Sequence, residues 1–436
     1  MAVLKPVTLY EAMKPIIIVS RIIGILPITF QPEVKNSRDS RVSKFSANIL
    51  AIISLCYSFS LIITIVCLCY TIIFSKIKTI YSEIKHQFIL TDVITMILMF
   101  LCTYVALIHC SLLKRNKWDE IMIRIQKLDN RLFKSISMHS YNKLLRNIIL
   151  QLSAVICVSA VLITFDYFEL LEVMNPILVY TRIALQFVRC FMDLQYINLN
   201  LIIRERFIMF NEQILRAFGF KSEKSINRCL IRSSKNIFEK DLNILRRFFA
   251  HIRQLLCGNP RKSNTFFTNN SKYNDSFMIK GRICMIRSKM SENNIQTIRI
   301  DHIEICSIQQ LINDYYQTYM LLEFLNTGAD LVLFLCILWI GFNILKFVII
   351  TGSCGSVINA DKSTAIIVSK VLNFTECLQP KITKQLYKFS RQLLYSKVNF
   401  TANHFFHLDS AVLGGIVKAI IIYVVILLQS QNMYKK

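Results

Sequence analysis

A chain of 436 residues with 54 % apolar side chains and a positive mean hydropathy is more apolar than a soluble protein of two or three domains, where the share is about 45–50 %. The formal charge of +25 does not gather in one block, because Lys and Arg stand between apolar stretches; it reads as membrane topology and not as a nucleic-acid surface. The fourteen Cys show no zinc or disulfide spacing, and no nucleophile with its base, metal cluster or phosphate-cradling Gly loop is readable, so an enzyme, a metal site and a bound cofactor are not expected.

In chain order, residues 1–46 carry seven Lys/Arg; their apolar part, 13–30, contains Arg21 and lacks a small-residue cleavage site, which argues against a removable signal peptide. Apolar blocks long enough to cross about 30 Å of hydrocarbon follow at 47–74, 88–113, 147–165, 176–203, 331–351 and 411–429. The first has no charge in 28 positions and the third none in 19. Residues 114–146 hold nine Lys/Arg and 204–320 hold twenty against ten acids, whereas 75–87 hold three and 166–175 none. The basic segments face the cytoplasm, so the N-terminus is predicted inside and the first two outer loops are short.

Residues 352–410, with seven Lys/Arg, also read as cytoplasmic, and one helix at 331–351 cannot start and finish on the same side. A further crossing is predicted over 305–325, marginal because it contains Asp314 and Glu323, with Asn326-Thr327-Gly328-Ala329-Asp330 as the turn of a helical hairpin. The fold expected is therefore all-α and polytopic: seven transmembrane helices, a weak fifth span and a cytoplasmic N-terminus. Its parts are a 1–46 cytoplasmic segment, helices one to four over 47–203, a 204–304 loop with a polar insert at 258–294, helices five and six over 305–351, cytoplasmic helices over 352–410, and a last helix over 411–436.

Several local patterns carry chemistry. Gly352-Ser353-Cys354-Gly355-Ser356 has the look of a nucleophile turn but reads as a helix exit, and His404 and His407, at the spacing of a metal pair on a helix, read as interfacial residues. The sequons at Asn373 and Asn399 fall on the cytoplasmic side and are expected to be unmodified. Charges within spans are costly, about 2.5–3.5 kcal/mol each, and default to paired or functional roles. Arg189 and Asp193, four residues apart, can neutralise each other. Asp92, one turn into the second span, has no such cation; with Trp339 and Asn343 it offers a carboxylate, an aromatic face and an amide to a small polar ligand.

The last block ends Ile422-Tyr423-Val424-Val425-Ile426-Leu427-Leu428-Gln429, and Tyr423, Ile426 and Ser430 share one helical face with Gln429 beside it. This phrase resembles the close of the insect gustatory receptors, departing at Ile422, where the motif has Thr, and at Ser430, where it has a bulky apolar residue. Leu338 to Lys346 followed by Gly352-Ser353-Cys354 is similar to their sixth span and its cytoplasmic exit, Phe405-Phe406 to their approach to the last helix, and Thr91-Asp92-Val93 to the second span of fructose-type members. The resemblance implies a plasma-membrane, ligand-gated, non-selective cation channel without a G protein, a homo- or heterotetramer with other gustatory receptors, opened by a small-molecule tastant such as a sugar or bitter compound. It makes Ile426 a gate residue, Gln429 the polar group beside the ion path, Tyr423 a packing anchor and Ser430 a wettable replacement for a second apolar ring.

The resemblance also makes Arg204 to Phe207 with Asn211 an extension of the fourth helix into a cytoplasmic anchor; residues 361–400 suit that anchor or a helix lying on acidic membrane lipid. A seven-helix G-protein-coupled receptor requires an outside N-terminus, against the loop charges, and lacks the Asp-Arg-Tyr and Asn-Pro-x-x-Tyr signatures. A secondary transporter would show Gly- or Pro-interrupted repeats, yet only ten Gly and seven Pro occur.

Overall fold

The computed structural model describes residues 8–23, 60, 63, 67, 70, 97–108, 114–132, 137–170, 176–218, 292–333, 337–373, 380–409, 412, 414, 415 and 418; in 115–116, 137–140, 162–163, 165–170, 176–180, 182, 328–333 and 337–342 it describes the backbone alone. The described helices are α1 (Leu9–Ile22), α2 (Ile97–Ile108), α3 (Arg115–Leu132), α4 (Ser137–Leu170), α5 (Pro176–Ala217), α6 (Glu292–Leu333), α7 (Ile337–Leu372) and α8 (Pro380–Tyr395). A short antiparallel hairpin, β1 (Thr401–Ala402) with β2 (Phe406–His407), follows them.

The chain divides into two compact units. The first comprises Met1–Phe207, Ile300–Ile358 and Ser396–Lys436, and the second Ile208–Arg299 and Asn359–Tyr395. In the first unit, α1 begins where the Thr8 side chain accepts the Glu11 N–H at 3.2 Å, a standard N-cap. Its apolar positions Leu9, Ala12, Met13, Ile16 and Ile17 recur at helical spacing and are buried as α1 packs along α4. The described part of the N-terminal apolar stretch, through Ile22, is thus a packed amphipathic helix in this fold.

α4 shows the opposite pattern. Over Tyr141–Val161 it is long and apolar enough to cross a membrane, yet most of it faces outward, with Leu150 71 % and Val161 62 % exposed and Ile149, Ile156 and Val158 also open. Asn343–Leu372 passes the same test among the described residues while being mostly buried. An exposed apolar surface of that length is more than a monomeric soluble chain usually leaves open to water.

α5 and α6 each run 42 residues, about 63 Å at 1.5 Å per residue and twice the hydrocarbon thickness. α6 corrects the predicted turn: Asn326 to Asp330 continue the helix as far as Leu333. Asn326 and Thr327 are fully buried, and the Thr327 hydroxyl donates to Glu323 Oε1 at 3.2 Å, so packing overrides the turn preference of these residues. Of the 331–351 block, residues 331–333 belong to α6 and those from Ile337 on to α7, and 334–336 lie outside the described residues.

Two further local readings change. Gly352 to Ser356 lie inside α7 and form no exit turn; Cys354 is buried with its sulfur 3.2 Å from the Tyr196 hydroxyl. His404 and His407 lie on the hairpin, so helical spacing does not apply. The hairpin turn holds Asn403 and His404 at φ of 46° and 62°, with Phe405 N–H donating to Ala402 O at 3.0 Å. Asn313 of α6 anchors β1, its Oδ1 accepting the Thr401 N–H at 2.9 Å.

A buried ion pair ties α3 to α5 in the first unit: Arg206 Nη2 donates to Asp129 Oδ2 at 2.7 Å, with Nε 2.6 Å from Oδ1, and Tyr141 donates to the same carboxylate at 2.6 Å. In the second unit, Asn211 Nδ2 donates to Ala360 O at 3.1 Å and Asn211 Oδ1 accepts the Thr364 hydroxyl at 2.7 Å. There α8 buries Ile382, Leu386, Phe389 and Leu393 on one face, and Arg299 donates to Gln392 and Gln385 at 3.1 and 3.2 Å.

Removing one partner of a buried ion pair strands the other. Arg206→Met should therefore destabilise the protein by about 3–5 kcal/mol, and Arg206→Met with Asp129→Leu should recover much of that loss. Thermal unfolding of the detergent-purified chain reads both, and an unshifted single-variant melt would count against the pair.

Candidate ligand site and pore

Three helices of the first unit each present polar side chains at helical spacing. On α5 these are Gln186, Arg189 and Asp193, on α6 Tyr319, Glu323 and Thr327, and on α7 Asn343 and Lys346. All are buried. Four of them carry opposite charges in equal number, Arg189 and Lys346 against Asp193 and Glu323.

The Arg189 guanidinium grips Glu323 with two parallel hydrogen bonds, Nε to Oε2 and Nη2 to Oε1, both 2.8 Å, the planar fork for which Arg is suited. Its Nη1 donates to Gln186 Oε1 at 3.0 Å. Lys346 donates to Glu323 Oε1 and lies 3.4 Å from Asp193 Oδ2, bridging α5 and α6 from α7. The Tyr319 hydroxyl lies 3.0 Å from Arg189 O and 3.1 Å from Asp193 Oδ1, within donating reach of both.

The expected Arg189–Asp193 neutralisation along one helix is joined by closer partners on other helices. Arg189 finds Glu323, and Asp193 finds Lys346. The reason is geometric: two long side chains on neighbouring helices meet head to head, which a rigid fork exploits better than contact along one helix surface. Glu323 and Lys346 were each visible as charges within apolar blocks; what linear order withheld was that α6 and α7 turn them toward α5.

Asn343 sits one turn before Lys346 on α7. It is 1 % exposed, and neither its Oδ1 nor its Nδ2 has a hydrogen-bond partner among the described residues. Trp339 lies one turn earlier on α7, where only the backbone is described, and Asp92 falls outside the described residues. Tyr423, Ile426, Gln429 and Ser430 fall outside them too; of the last block, residues 412, 414, 415 and 418 are helical. The Asp409 carboxylate accepts the Val412 N–H at 3.3 Å, an N-terminal cap for that helix.

Because Glu323 holds both cations, Glu323→Leu should lower stability by about 3–5 kcal/mol, more than Tyr319→Phe, which leaves every charge paired. The two melting midpoints, measured by fluorescence-detected size exclusion, check the ranking, and equal shifts would contradict it.

A sequence profile described as 7tm Chemosensory receptor matches residues 13–434. The putative gustatory receptor 28a of Drosophila melanogaster is 27 % identical over 349 residues, covering 71 % of this chain and 67 % of that protein. Among solved structures, the insect olfactory receptor OR5 of Machilis hrabei matches with a TM-score of 0.57 at 14 % identity, covering 97 % of this chain and 98 % of that one. Its complex with eugenol matches with a TM-score of 0.53 at 13 % identity and the same coverage. The fold is shared over nearly the whole length, α6 and α7 included. The chain belongs to the 7tm chemosensory receptor family, a membrane-embedded family, and the resemblance to insect gustatory receptors read from its closing motif is borne out.

Proposed function

We propose that this protein is a gustatory receptor of the plasma membrane that works as a ligand-gated, non-selective cation channel opened from outside by a small-molecule tastant. The observation that carries this reading is the family match through residue 434, which takes in the whole closing motif Tyr423 to Gln429. A receptor of the same fold solved with eugenol supports a small organic ligand.

In this reading the chain crosses the membrane seven times from a cytoplasmic N-terminus. The fifth crossing runs on α6, which the helical course to Leu333 makes longer than the marginal 305–325 block, and the sixth runs on α7 from Ile337. Residues 352–410 form the cytoplasmic anchor together with the extension of α5 beyond 203. Four copies, identical or mixed with other gustatory receptors, place the last helix around a shared axis. Ile426 is then the apolar gate, Gln429 the polar residue lining the path and Tyr423 the anchor below them. Ser430 wets the constriction, because a hydroxyl holds water where an aliphatic ring excludes it.

The ligand meets Asp92, Trp339 and Asn343 in the outer halves of the second and sixth spans. A carboxylate and an amide orient a polar molecule while the indole face covers its C–H surface. Ligand contact at α7 reaches the pore through Lys346, one turn inward, which is fastened to both α5 and α6.

Currents recorded on tastant application with G-protein signalling blocked test the proposal. The wild type should conduct, Gln429→Ala should change ion selectivity or current amplitude, and Ser430→Leu should reduce the unliganded leak. Absence of current under block, or surface labelling of an N-terminal tag in intact cells, would remove the channel reading.

A further inference from the structure

The buried polar cluster of α5, α6 and α7 bears on which ligands the site takes, and the inference rests on the ligand reading just given. Arg189, Lys346, Asp193 and Glu323 sum to zero charge, and each has its counter-charge within the cluster. The hydroxyls and amide around them are committed as well: Gln186 to Arg189, Tyr319 to Asp193 and Thr327 to Glu323. Asn343 is the exception. Its amide is buried one turn from Lys346, with oxygen and nitrogen both unpartnered among the described residues.

A primary amide donates two hydrogen bonds and accepts two, so burying it without partners is unfavourable and a molecule that both accepts and donates there is favoured. One water needs two to four polar partners, and the groups of the cluster named above are already engaged among the described residues. A charged group arriving beside Asn343 would find no unpaired counter-ion in the cluster; among the described residues it would have to break an existing pair or remain uncompensated in low dielectric. A neutral hydroxyl or amide meets neither obstacle.

We infer that Asn343 is the docking point for an uncharged hydroxyl or amide of the ligand, and that the self-neutralised cluster of Arg189, Asp193, Glu323 and Lys346 discriminates against anionic and cationic groups at that position. Asn343 contacts the ligand; the four charged residues set specificity without touching it. The class of ligand is a neutral alcohol, polyol or amide, and carboxylates and ammonium compounds are rejected at this end of the site.

The test uses the full-length protein and two matched series: glucose, gluconate and glucosamine, and phenethyl alcohol, phenylacetate and phenethylammonium. Binding is read as ligand-induced thermal shift of purified protein and opening as current. Both are also run in Asp92→Asn protein, so that the Asp92 carboxylate does not itself retain the ammonium compounds. In at least one series the alcohol should bind at least tenfold more tightly than either charged relative. Asp193→Asn, which leaves the cluster with one excess positive charge, should shift relative affinity at least tenfold toward the carboxylate. Asn343→Asp, which adds a negative charge, should shift it toward the ammonium.

Opposite shifts cannot come from a general loss of folding, and if Asp193→Asn fails to fold, the wild-type ranking and Asn343→Asp decide. Charged members binding as tightly as the alcohol in both series, no binding by any of the six compounds, or both variants shifting the same way overturns the inference. Selective binding without current would sink the channel reading and leave this one standing, whereas current evoked equally by all members of a series would do the reverse.

Discussion

Charge inside an apolar environment has to be matched by opposite charge at hydrogen-bonding distance, and that constraint organises the first unit of this protein. Four ionic side chains on α5, α6 and α7 would each be unfavourable alone, yet together they fasten the three helices at one level. The Arg189–Glu323 fork fixes α5 against α6 in register. Lys346 then has one place to go, between Asp193 and Glu323, which fixes α7. The Asp129, Arg206 and Tyr141 cluster repeats the solution between α3 and α5, with a phenol completing the carboxylate's hydrogen bonds.

Around these fixed points the remaining architecture follows from length and amphipathicity. α5 and α6 are about twice as long as a bilayer is thick, so each carries apolar positions at one end and mixed polar positions at the other. α8 has one apolar face and a row of exposed Lys and Arg, and its buried side is tied down by Arg299 through two glutamines. The outward-facing apolar side chains of α4 complete the picture of a chain whose solvent is partly lipid, in keeping with its membrane-embedded family.

The sequence misled where local preference and packing disagree. Asn326 to Asp330 have turn-forming composition, and in water such side chains compete for backbone hydrogen bonds. Buried beside Glu323, Thr327 has a better partner on its own helix, so the helix persists. Gly352 to Ser356 stay helical for a related reason: Ser353 and Cys354 are held by Asn200, whose Nδ2 lies 3.2 and 3.6 Å from their side chains. His404 and His407 had the spacing of a helical pair, but two consecutive residues with positive φ made a hairpin there.

Membership of the family was legible from short phrases, the closing Ile422 to Gln429 with Leu338 to Lys346 and Phe405-Phe406, because those runs of residue types follow the pattern of that family. Composition and loop charge were enough for a helical membrane protein, since hydrocarbon thickness and the sidedness of Lys and Arg act on linear order alone. Asn343 could be named from its type and depth. Its lack of partners among the described residues could not, because satisfaction of a buried amide depends on what neighbouring helices bring to it. Pairing of the four charges was likewise a decision of the tertiary structure: linear spacing joins Arg189 to Asp193, and only the packing of α6 and α7 against α5 offers each a stronger partner across the helix interface.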